Sequence, residues 1–328
     1  MAFPVAGSLT TPPIYPSGGS GNTLSSAKFI PEIWSGKLIE KFYDNTVLSA
    51  ISNTDYEGEI KNHGDKVIIR TKPTVTIRDY RADGLLTLER PAGSNTSLSI
   101  DKGKYFNTIL DDVMAVQSDI NNLSLWADDA AQQMKIAIDS DVLLGILGDA
   151  DSDNRGTTAG KHSGDINLGA TTSPVALVPR SPQSGEVEVL DLILRLGQVL
   201  DEQNIPETGR WIVMPTWAAT MIKMSELRQV YLSGDSVTML RNGRLGMIDR
   251  FTIYVSNLLP AGTGAGLAAG EYAIYAGHAH GLTFASQISK VQTLDSEMTF
   301  GRILRGLQVY GYEVVDPTAI AEAIVAKA

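Results

Sequence analysis

The spacing of hydrophobic residues changes several times along the chain, which predicts a mixture of helices and strands. Between residues 28 and 57 hydrophobic residues recur at three- and four-residue steps, the spacing of a helical region. Residues 58–104 instead form short β-branched runs, which predict a long β segment that no amphipathic helix covers. Within it Val67 and Ile69 face one side of a strand and Ile68 faces the other.

A long helix is predicted next, from about Asp111 to Leu147, with Gly148 suited to end it. Its hydrophobic positions form one stripe: Val113, Val116, Ile120, Leu123, Ala127, Ala130, Met134, Ile138 and Val142. At about 1.5 Å per residue such a helix would span roughly 55 Å, which favours a structural spine.

The second half of the chain alternates helical and strand patterns. After a polar region at 149–184, the pattern predicts a helix at 187–200, a strand at 211–215 and a helix at 216–227. Further strands are predicted within 246–257, 271–275, 281–286 and 287–312, and a short Ala-rich helix at 317–328. No internal repeat of fixed period is present.

Charge sets the β segment apart from the rest of the protein. Residues 58–104 carry nine Lys and Arg and six Asp and Glu, a net charge of +3, whereas the whole chain has −10 and the remainder therefore −13. Two interpretations stay open. The cations protect strand edges from aggregation, or they dock the ribbon on the acidic surface of another subunit. The candidate contact residues are Arg70, Lys72, Arg78, Arg81 and Arg90.

Composition narrows the function classes. With 328 residues, 43% hydrophobic and 20% charged, the chain is of ordinary globular composition and long enough for about two domains. A net charge of −10 argues against a protein that binds nucleic acid through a concentrated basic surface. The absence of cysteine excludes disulfides and thiolate ligands, and no apolar run has the length of a membrane span.

Three groupings superficially resemble chemical sites. They are Asp149, Asp151 and Asp153; His278 and His280; and Gly262, Gly264, Gly266 and Gly270. The aspartates lack the glycine and the bidentate glutamate of a calcium loop. Two imidazoles do not complete a metal site, and the glycines lead into a strand instead of a phosphate-binding helix. No serine stands in a nucleophile elbow, so we expect no catalytic, cofactor-binding or metal-binding residues and no enzyme activity.

The order of elements resembles the major capsid proteins of tailed bacteriophages, which have the Hong Kong 97-type fold. Three stretches carry the resemblance: the β segment at 58–104 before the long helix, the pattern GMIDRFTIYVSNLLP at 246–260, and the closing pattern RGLQVYGYEVVDP at 305–317.

This resemblance implies an α+β capsid fold with named parts. Residues 1–27 would be an N-terminal arm, 28–57 a helical region, 58–104 an extended β loop (E-loop) lying over an adjacent subunit, 105–185 with 283–328 a peripheral domain, and 186–282 an axial domain.

The resemblance also implies function and partners. Many copies would assemble as pentamers and hexamers into an icosahedral virion shell around double-stranded DNA, without sequence recognition or a membrane, in the cytoplasm of the host bacterium. Some relatives carry a large N-terminal scaffolding segment that is cleaved, and only a short arm precedes the first helix here. This favours a separate scaffolding protein besides a portal and a decoration protein, with a cleaved N-terminal precursor as the alternative. The loop tip offers Arg81 where some relatives crosslink through lysine, so no crosslink is expected. An encapsulin-type compartment shares the fold and is the alternative; a soluble enzyme is a more distant one.

Overall fold

The computed structural model describes residues 43–55, 66–70, 73, 75–80, 85, 88–91, 93, 95–112, 122–225, 246–262, 266–297 and 299–328. Its helices are α1 (Leu48–Ile51), α2 (Asn122–Gly145), α3 (Val189–Glu202) and α4 (Thr216–Met224). Its strands are β1 (Lys66–Arg70), β2 (Asn95–Ser99), β3 (Lys102–Asp111), β4 (Val175–Val178), β5 (Glu186–Glu188), β6 (Arg210–Met214), β7 (Met247–Ile248), β8 (Phe251–Val255), β9 (Glu271–His278), β10 (Leu282–Asp295), β11 (Gly301–Val314) and β12 (Ile320–Lys327). Short 3-10 turns lie at Ser152–Asn154 and Pro317–Ala319.

A seven-stranded mixed sheet, in the order β5-β4-β12-β9-β6-β8-β7, separates two hydrophobic cores. Because side chains alternate along a strand, Ile212 and Met214 of β6 pack into the core on the side of α3 and α4. Trp211 and Val213 of the same strand pack into the other core, which also contains the C-terminal part of α2. Both faces of the sheet are therefore covered, and β6 is buried throughout, as are the first six residues of β12.

A second, separate sheet has three antiparallel strands in the order β10-β11-β3. The strands β10 and β11 make a long hairpin in which Leu282 pairs with Val314 and Asp295 with Arg302. On its other side β11 pairs with β3 over the whole of that strand, from Gly301 opposite Asp111 onward.

The helix α2 confirms the predicted spine in its described part. Ile138 and Val142 of the predicted stripe are buried, and Gly148 has φ +85°, the left-handed conformation that ends helices. The predicted start at Asp111 is wrong, because Asp111 is the last residue of β3 and stays in the ladder with β11. Residues 113–121 lie outside the described residues.

The segment before β1 is attached to α2 through one buried carboxylate. Asp139 accepts hydrogen bonds from the backbone N–H groups of Val47 (2.7 Å) and Leu48 (2.9 Å). Burial raises the pKa of Asp139, although these two hydrogen bonds oppose the rise. Of the helical region predicted at 28–57, the described part contains α1, and residues 28–42 lie outside the described residues.

The C-terminal prediction is wrong. The Ala-rich segment predicted as a helix forms β12, which lies between β4 and β9 in the seven-stranded sheet. Its first six residues are buried, and all of them except Glu322 are apolar, so the sequence does not alternate between apolar and polar residues. Sheet pairing and burial outweigh the helix preference of alanine here.

Two further predictions need correction. The region 149–184 contains the strand β4, which was not predicted, because its four residues stand alone among polar turns. Within the β segment predicted at 58–104, residues 75–80 and the described residues of 85–90 have no strand pairing. Elsewhere α3, α4, β6, β8 and β9 confirm the predicted elements, with α4 ending at Met224.

The sheet also bears on the predicted domains. The strands β4 and β12, from segments expected in the peripheral domain, pair within the same sheet as β6, β8 and β9 of the expected axial domain. The boundaries at 185/186 and 282/283 stay a prediction.

A fully buried arginine closes the loop between α3 and β6. Arg210 forms an ion pair with Asp201 at 2.7 Å and donates to the carbonyl oxygens of Ile205 (2.6 Å) and Pro206 (2.9 Å). Its side chain has no exposed surface, so these partners replace the water that the guanidinium loses.

A glutamate at the end of α3 holds the loop at 160–164. The Glu202 carboxylate accepts hydrogen bonds from the backbone N–H groups of His162 (2.7 Å) and Ser163 (3.1 Å) and from the Gln198 amide (3.1 Å). Burial raises the pKa of Glu202, but the hydrogen bonds from His162, Ser163 and Gln198 outweigh it and lower the pKa to about 2.

Candidate assembly surfaces

The predicted β ribbon is present as the antiparallel pair β1 and β2. Lys66 pairs with Ser99 and Arg70 with Asn95, so the register is continuous over five residues. Ile69 is buried and Ile68 is exposed, which confirms the predicted alternation of faces.

The base of the ribbon, which we call the root, is packed on the three-stranded sheet. Ile69, Leu98 and Ile100 form a small hydrophobic cluster with Ala285 of β10, and Val309 of β11 packs against it. Leu98 has no exposed surface at all. The ribbon is therefore fixed to its own subunit at this end.

A glycine allows the root to approach this closely. A Cβ atom at Gly311 of β11 would lie 2.9 Å from the carbonyl carbon of Ser99 and 3.0 Å from Cα of Ile100, and nearer still to the Ser99 oxygen. All three atoms belong to the backbone. The main chain at the end of β2 therefore lies directly against the main chain of β11. Only a residue without a side chain permits this crossing.

Beyond the root lies what we call the distal loop, residues 73–91, whose described residues contact little of their own subunit. Ile77 is 90% exposed and Leu88 is 95% exposed, so these side chains bury almost none of their surface. The large apolar side chains exposed here are Val75, Ile77, Tyr80, Leu85 and Leu88.

The two limbs of the distal loop meet through a side chain. The Glu89 carboxylate accepts hydrogen bonds from the backbone N–H of Thr76 (3.3 Å) and from its hydroxyl (3.2 Å). In a longer β ribbon, backbone hydrogen bonds between paired strands would join the two limbs. Here the side chain of Glu89 joins them.

The predicted contact residues lie on this ribbon, as far as they are described. Arg70, Arg78 and Arg90 are exposed, and none of them forms an ion pair with another described residue. Lys72 and Arg81 lie outside the described residues. The three described arginines are thus available to a partner, and their role as intersubunit contacts stays a prediction.

One face of the three-stranded sheet is fixed to the helix α2. Asp141 accepts hydrogen bonds from Lys102 Nζ (3.1 Å) and the Tyr310 hydroxyl (2.9 Å), while the Tyr312 hydroxyl donates to its backbone oxygen (3.2 Å). Burial lowers the pKa of Lys102, but hydrogen bonds to Tyr312 and Asp141 raise it above the ordinary value. Burial raises the pKa of Tyr310, and the hydrogen bond to Asp141 and the charge of that carboxylate raise it further. The helix and sheet therefore form one unit.

The described residues leave the opposite face uncovered over most of its length, and we call this part the open face. The alternation of β3 and its register with the neighbouring strands place nine side chains on it: Tyr105, Asn107, Ile109, Lys290, Gln292, Leu294, Ile303, Arg305 and Leu307. Tyr105 is 79% exposed and lies opposite Leu307. A groove of about 470 Å³ lies beside this pair.

Sequence reasoning found the cations of the ribbon but missed these apolar residues. In the sequence, Tyr105, Ile109 and Leu307 have the pattern of ordinary core positions. An apolar residue in a strand has the same pattern whether its face of the sheet is covered or open. Their signal would have been the apolar residues at both odd and even positions of β3.

The other groupings of the sequence form no site among the described residues. Asp151 accepts from the backbone N–H of Asp153 and caps a 3-10 turn, and His280 N–H donates to Nδ1 of His278. Among the residues placed by the structure, no cluster of three or more metal-binding side chains occurs. Gly262, Gly266 and Gly270 have positive φ, as turns require, and Gly264 lies outside the described residues. Within the same part of the chain, no helix is long and apolar enough to cross a membrane.

Comparison with known proteins agrees with this architecture. A family model for phage capsid proteins matches residues 95–323. A solved structure from Mycobacterium phage Che8 is 26% identical, with a TM-score of 0.71 over 90% of this chain and 96% of that chain. No curated protein shows significant similarity to the sequence.

More distant structures share the fold. The mature capsid of bacteriophage PhiM1 is 16% identical, with a TM-score of 0.66 over 90% of this chain and 91% of that chain. The capsid of a native GTA particle is 14% identical, with a TM-score of 0.67 over 94% of this chain and all of that chain. The fold is therefore the predicted α+β capsid fold of Hong Kong 97 type.

The family is a structural one, and its members form shells of capsomers by self-assembly. Because the family model spans most of the sequence, the chain belongs to the phage capsid protein family and is a major capsid protein that forms the head shell of the virion.

Proposed function

We propose that pentamers and hexamers of this chain build an icosahedral shell around the double-stranded DNA of a tailed phage, and that the ribbon joins the copies. In each capsomer the distal loop of one copy would lie on the acidic surface of the next. One observation supports this most directly. The root is packed on its own sheet, whereas the distal loop exposes apolar and cationic side chains together. A segment that is fixed at one end and unburied at the other is suited to a neighbouring molecule.

Charge supports the same arrangement. The ribbon segment 58–104 is +3 in a chain of −10, so copies repel one another over most of their surface but attract through this segment. The residues that we assign to these contacts are Arg70, Lys72, Arg78, Arg81 and Arg90. Each weak contact recurs in every subunit, so the shell gains stability by multivalency.

The negative net charge also suits a container for DNA. A shell whose subunits carry a net negative charge binds the packaged polyanion weakly and without sequence recognition. We further propose assembly in the cytoplasm of the host bacterium, with a scaffolding protein, a portal and a decoration protein as partners. The domain division proposed here follows the sequence, with a peripheral domain around α2 and an axial domain around α3 and α4, and with β4 and β12 completing the axial sheet.

The experiment neutralises four ribbon cations together: Arg70→Gln, Lys72→Gln, Arg78→Gln and Arg81→Gln. A control variant neutralises four exposed cations elsewhere: Lys161→Gln, Arg180→Gln, Lys223→Gln and Arg302→Gln. Both variants change the net charge by the same amount, so a difference between them is due to position.

We expect the ribbon variant to fold and to form few or no particles by electron microscopy, while the control forms normal shells. Normal particles from the ribbon variant would contradict the contact assignment. Particles that form but aggregate would favour the other interpretation, in which the cations only protect strand edges.

Two other functions of this fold are distinguishable by the contents of the particle. An encapsulin-type compartment predicts purified shells without packaged DNA and with cargo protein. A soluble enzyme predicts a small oligomer and no shells. Nucleic-acid measurement and electron microscopy of the purified protein separate all three.

A further inference from the structure

A groove of about 470 Å³ lies at one edge of the seven-stranded sheet, and we call it the strand-end groove. The strands β6 and β8 are parallel, so both end at this edge, and β9 is antiparallel to β6 and begins there. Its lining includes Pro215, Thr216 and Trp217 where β6 leads into α4, Asn257 and Leu259 after β8, and Tyr272 at the start of β9.

The strand-end groove is aromatic, and none of its described lining residues is charged. Trp217 and Tyr272 meet edge to face, with ring centroids 5.4 Å apart. Both rings are half-buried and pack against the core on the side of α3 and α4, which fixes their position. Two fixed rings of this kind offer a ligand a large apolar surface at a low cost in side-chain entropy.

The groove also contains hydrogen-bond donors. The indole N–H of Trp217 is buried and has no acceptor among the described residues. Asn257 is exposed, and because its Oδ1 accepts from the Thr216 hydroxyl, its amide NH₂ can donate to a ligand. An indole nitrogen only donates, so a ligand rich in carbonyl oxygens matches this lining.

A polyproline II segment has the chemistry that this groove fits. Its backbone makes no internal hydrogen bonds, so its carbonyl oxygens can accept, and its proline rings pack on aromatic side chains. Its conformation is largely set before binding, so little chain entropy is lost. A charged ligand, in contrast, would find no opposite charge in the described lining.

The chain carries such a segment in the arm predicted at residues 1–27. Residues 11–16 read TPPIYP, with prolines at 12, 13 and 16, which includes the spacing P-x-x-P. They lie outside the described residues. No charged side chain precedes Lys28, so the arm is as neutral as the groove. The 26 residues between Pro16 and Tyr43 can span at most roughly 90 Å, which is long enough to reach a second copy.

We propose that the strand-end groove of one copy binds residues 11–16 of a second copy in the polyproline II conformation. The proline rings contact Trp217 and Tyr272, and carbonyl oxygens accept from the Trp217 indole and the Asn257 amide. The contact contains no ion pair, so salt does not weaken it, unlike the contacts proposed for the ribbon. This inference goes beyond the proposed function and rests on it only in that many copies meet in one shell.

The absence of cysteine from the chain allows a direct test. Chains with Tyr15→Cys alone and chains with Thr216→Cys alone are produced together, assembled and oxidised. A disulfide between the two positions then joins different copies, and each variant assembled alone reports dimers between like positions. A matched control replaces the second variant with Leu194→Cys, an exposed leucine on α3.

We expect about fivefold more dimer on a non-reducing gel from the arm and groove mixture than from the control, with equal yields at about 0.1 M and 1 M salt. Particles without such dimers, or with equal amounts in both mixtures, would overturn the inference. An auxiliary protein bound in the groove would give that result. A chain with both cysteines that crosslinks only within itself would also overturn it, because the groove would then hold the subunit's own arm.

A further pair of variants tests the prolines. In the Tyr15→Cys chain, the joint substitution Pro12→Ala, Pro13→Ala and Pro16→Ala should lower the dimer yield by about fivefold, because the segment is no longer preorganised. A control in the same arm, Thr10→Ala, Thr11→Ala and Ser17→Ala, should leave the yield unchanged. Equal losses in the two variants would contradict recognition of the prolines.

A binding assay keeps the inference falsifiable if the cysteine chains do not assemble. The full chain with the three proline substitutions, unassembled, is titrated with a labelled peptide of residues 8–19. It should bind this peptide and not the peptide with alanine at 12, 13 and 16, and Trp217→Phe should weaken binding about fivefold through one lost hydrogen bond. Equal binding of both peptides, or no effect of Trp217→Phe, would overturn the inference but leave the proposed function intact. A wild-type chain that forms no shells under any condition would instead refute the proposed function.

Discussion

Gly311 offers the sharpest test of how the ribbon is held. The substitution Gly311→Ala places a Cβ atom 2.9 Å from the carbonyl carbon of Ser99 and 3.0 Å from Cα of Ile100, well inside ordinary van der Waals distance. The obstructing atoms are backbone, so no side chain can rotate away. The ribbon must retreat from β11 by roughly 1 Å, and we expect a cost of about 1–3 kcal/mol, as for other overpacked sites.

The neighbouring Gly103 provides a matched control. It lies on β3 opposite Val309, and a Cβ atom there would be 3.9 Å from its nearest neighbours, which is an ordinary contact. Gly103→Ala should therefore be neutral or slightly stabilising, since alanine restricts the unfolded chain more than glycine does.

Hydrogen exchange of the unassembled subunit measures the difference. In Gly311→Ala the amides of β1 and β2 should exchange about fivefold to 150-fold faster, which corresponds to the loss of 1–3 kcal/mol of local stability. The seven-stranded sheet should keep its protection, because the hydrophobic cluster at the root is formed with Ala285 and Val309 of the smaller sheet. If Gly311→Ala and Gly103→Ala exchange alike at β1 and β2, the reasoning about the crossing is wrong.

Two further predictions concern the larger sheet. Arg210→Ala should lower the free energy of unfolding by about 3 kcal/mol in chemical denaturation, because it leaves the buried carbonyl groups of Ile205 and Pro206 without their donor and removes the buried partner of Asp201. Arg250→Ala is a control on the same carboxylate; because Arg250 is partly exposed, its loss should cost less than about 1 kcal/mol. Equal losses would contradict the role of burial. The folded-state pKa of Glu202 is about 2, below its ordinary 4.5, so its contribution to the free energy of unfolding is complete above pH 4.5 and is lost as the pH falls towards 2. Glu202→Gln should therefore make the free energy of unfolding less dependent on pH between about 4.5 and 2. An unchanged pH dependence would contradict this.

Long amphipathic patterns made much of the fold predictable. The C-terminal part of the predicted stripe of α2 is buried at Ile138 and Val142, and in β1 Ile69 is buried whereas Ile68 is exposed. These patterns work because one face of each element meets a core and the other meets water.

The misses share one physical cause, which is that pairing partners are invisible in a single sequence. The last strand, β12, is buried on both faces between β4 and β9, so its alanines gave a helical preference and no alternation to oppose it. Residues 75–80 have strand-like composition but find no partner within the described subunit. The β propensity of a segment indicates that it can form a strand, but it does not identify the strand with which it pairs.

The candidate site was predictable only in part for the same reason. The cations of the ribbon stand out against an acidic chain. The exposed positions of Tyr105 and Leu307 depend on which face of the sheet α2 covers, and Lys102 and Tyr312 decide that through their bonds to Asp141. Such a choice requires the three-dimensional arrangement.

The position of β12 has a consequence for folding kinetics. Val325 pairs with Val175, so strands about 150 residues apart in sequence lie side by side in the sheet. In the described sheet, β4 and β5 join the other strands only through β12. Contacts of such long range form late and slowly, since the intervening chain must first be brought together. Until β12 inserts, β4 and β9 each present an open edge, so this is the stage at which the subunit is most exposed to aggregation.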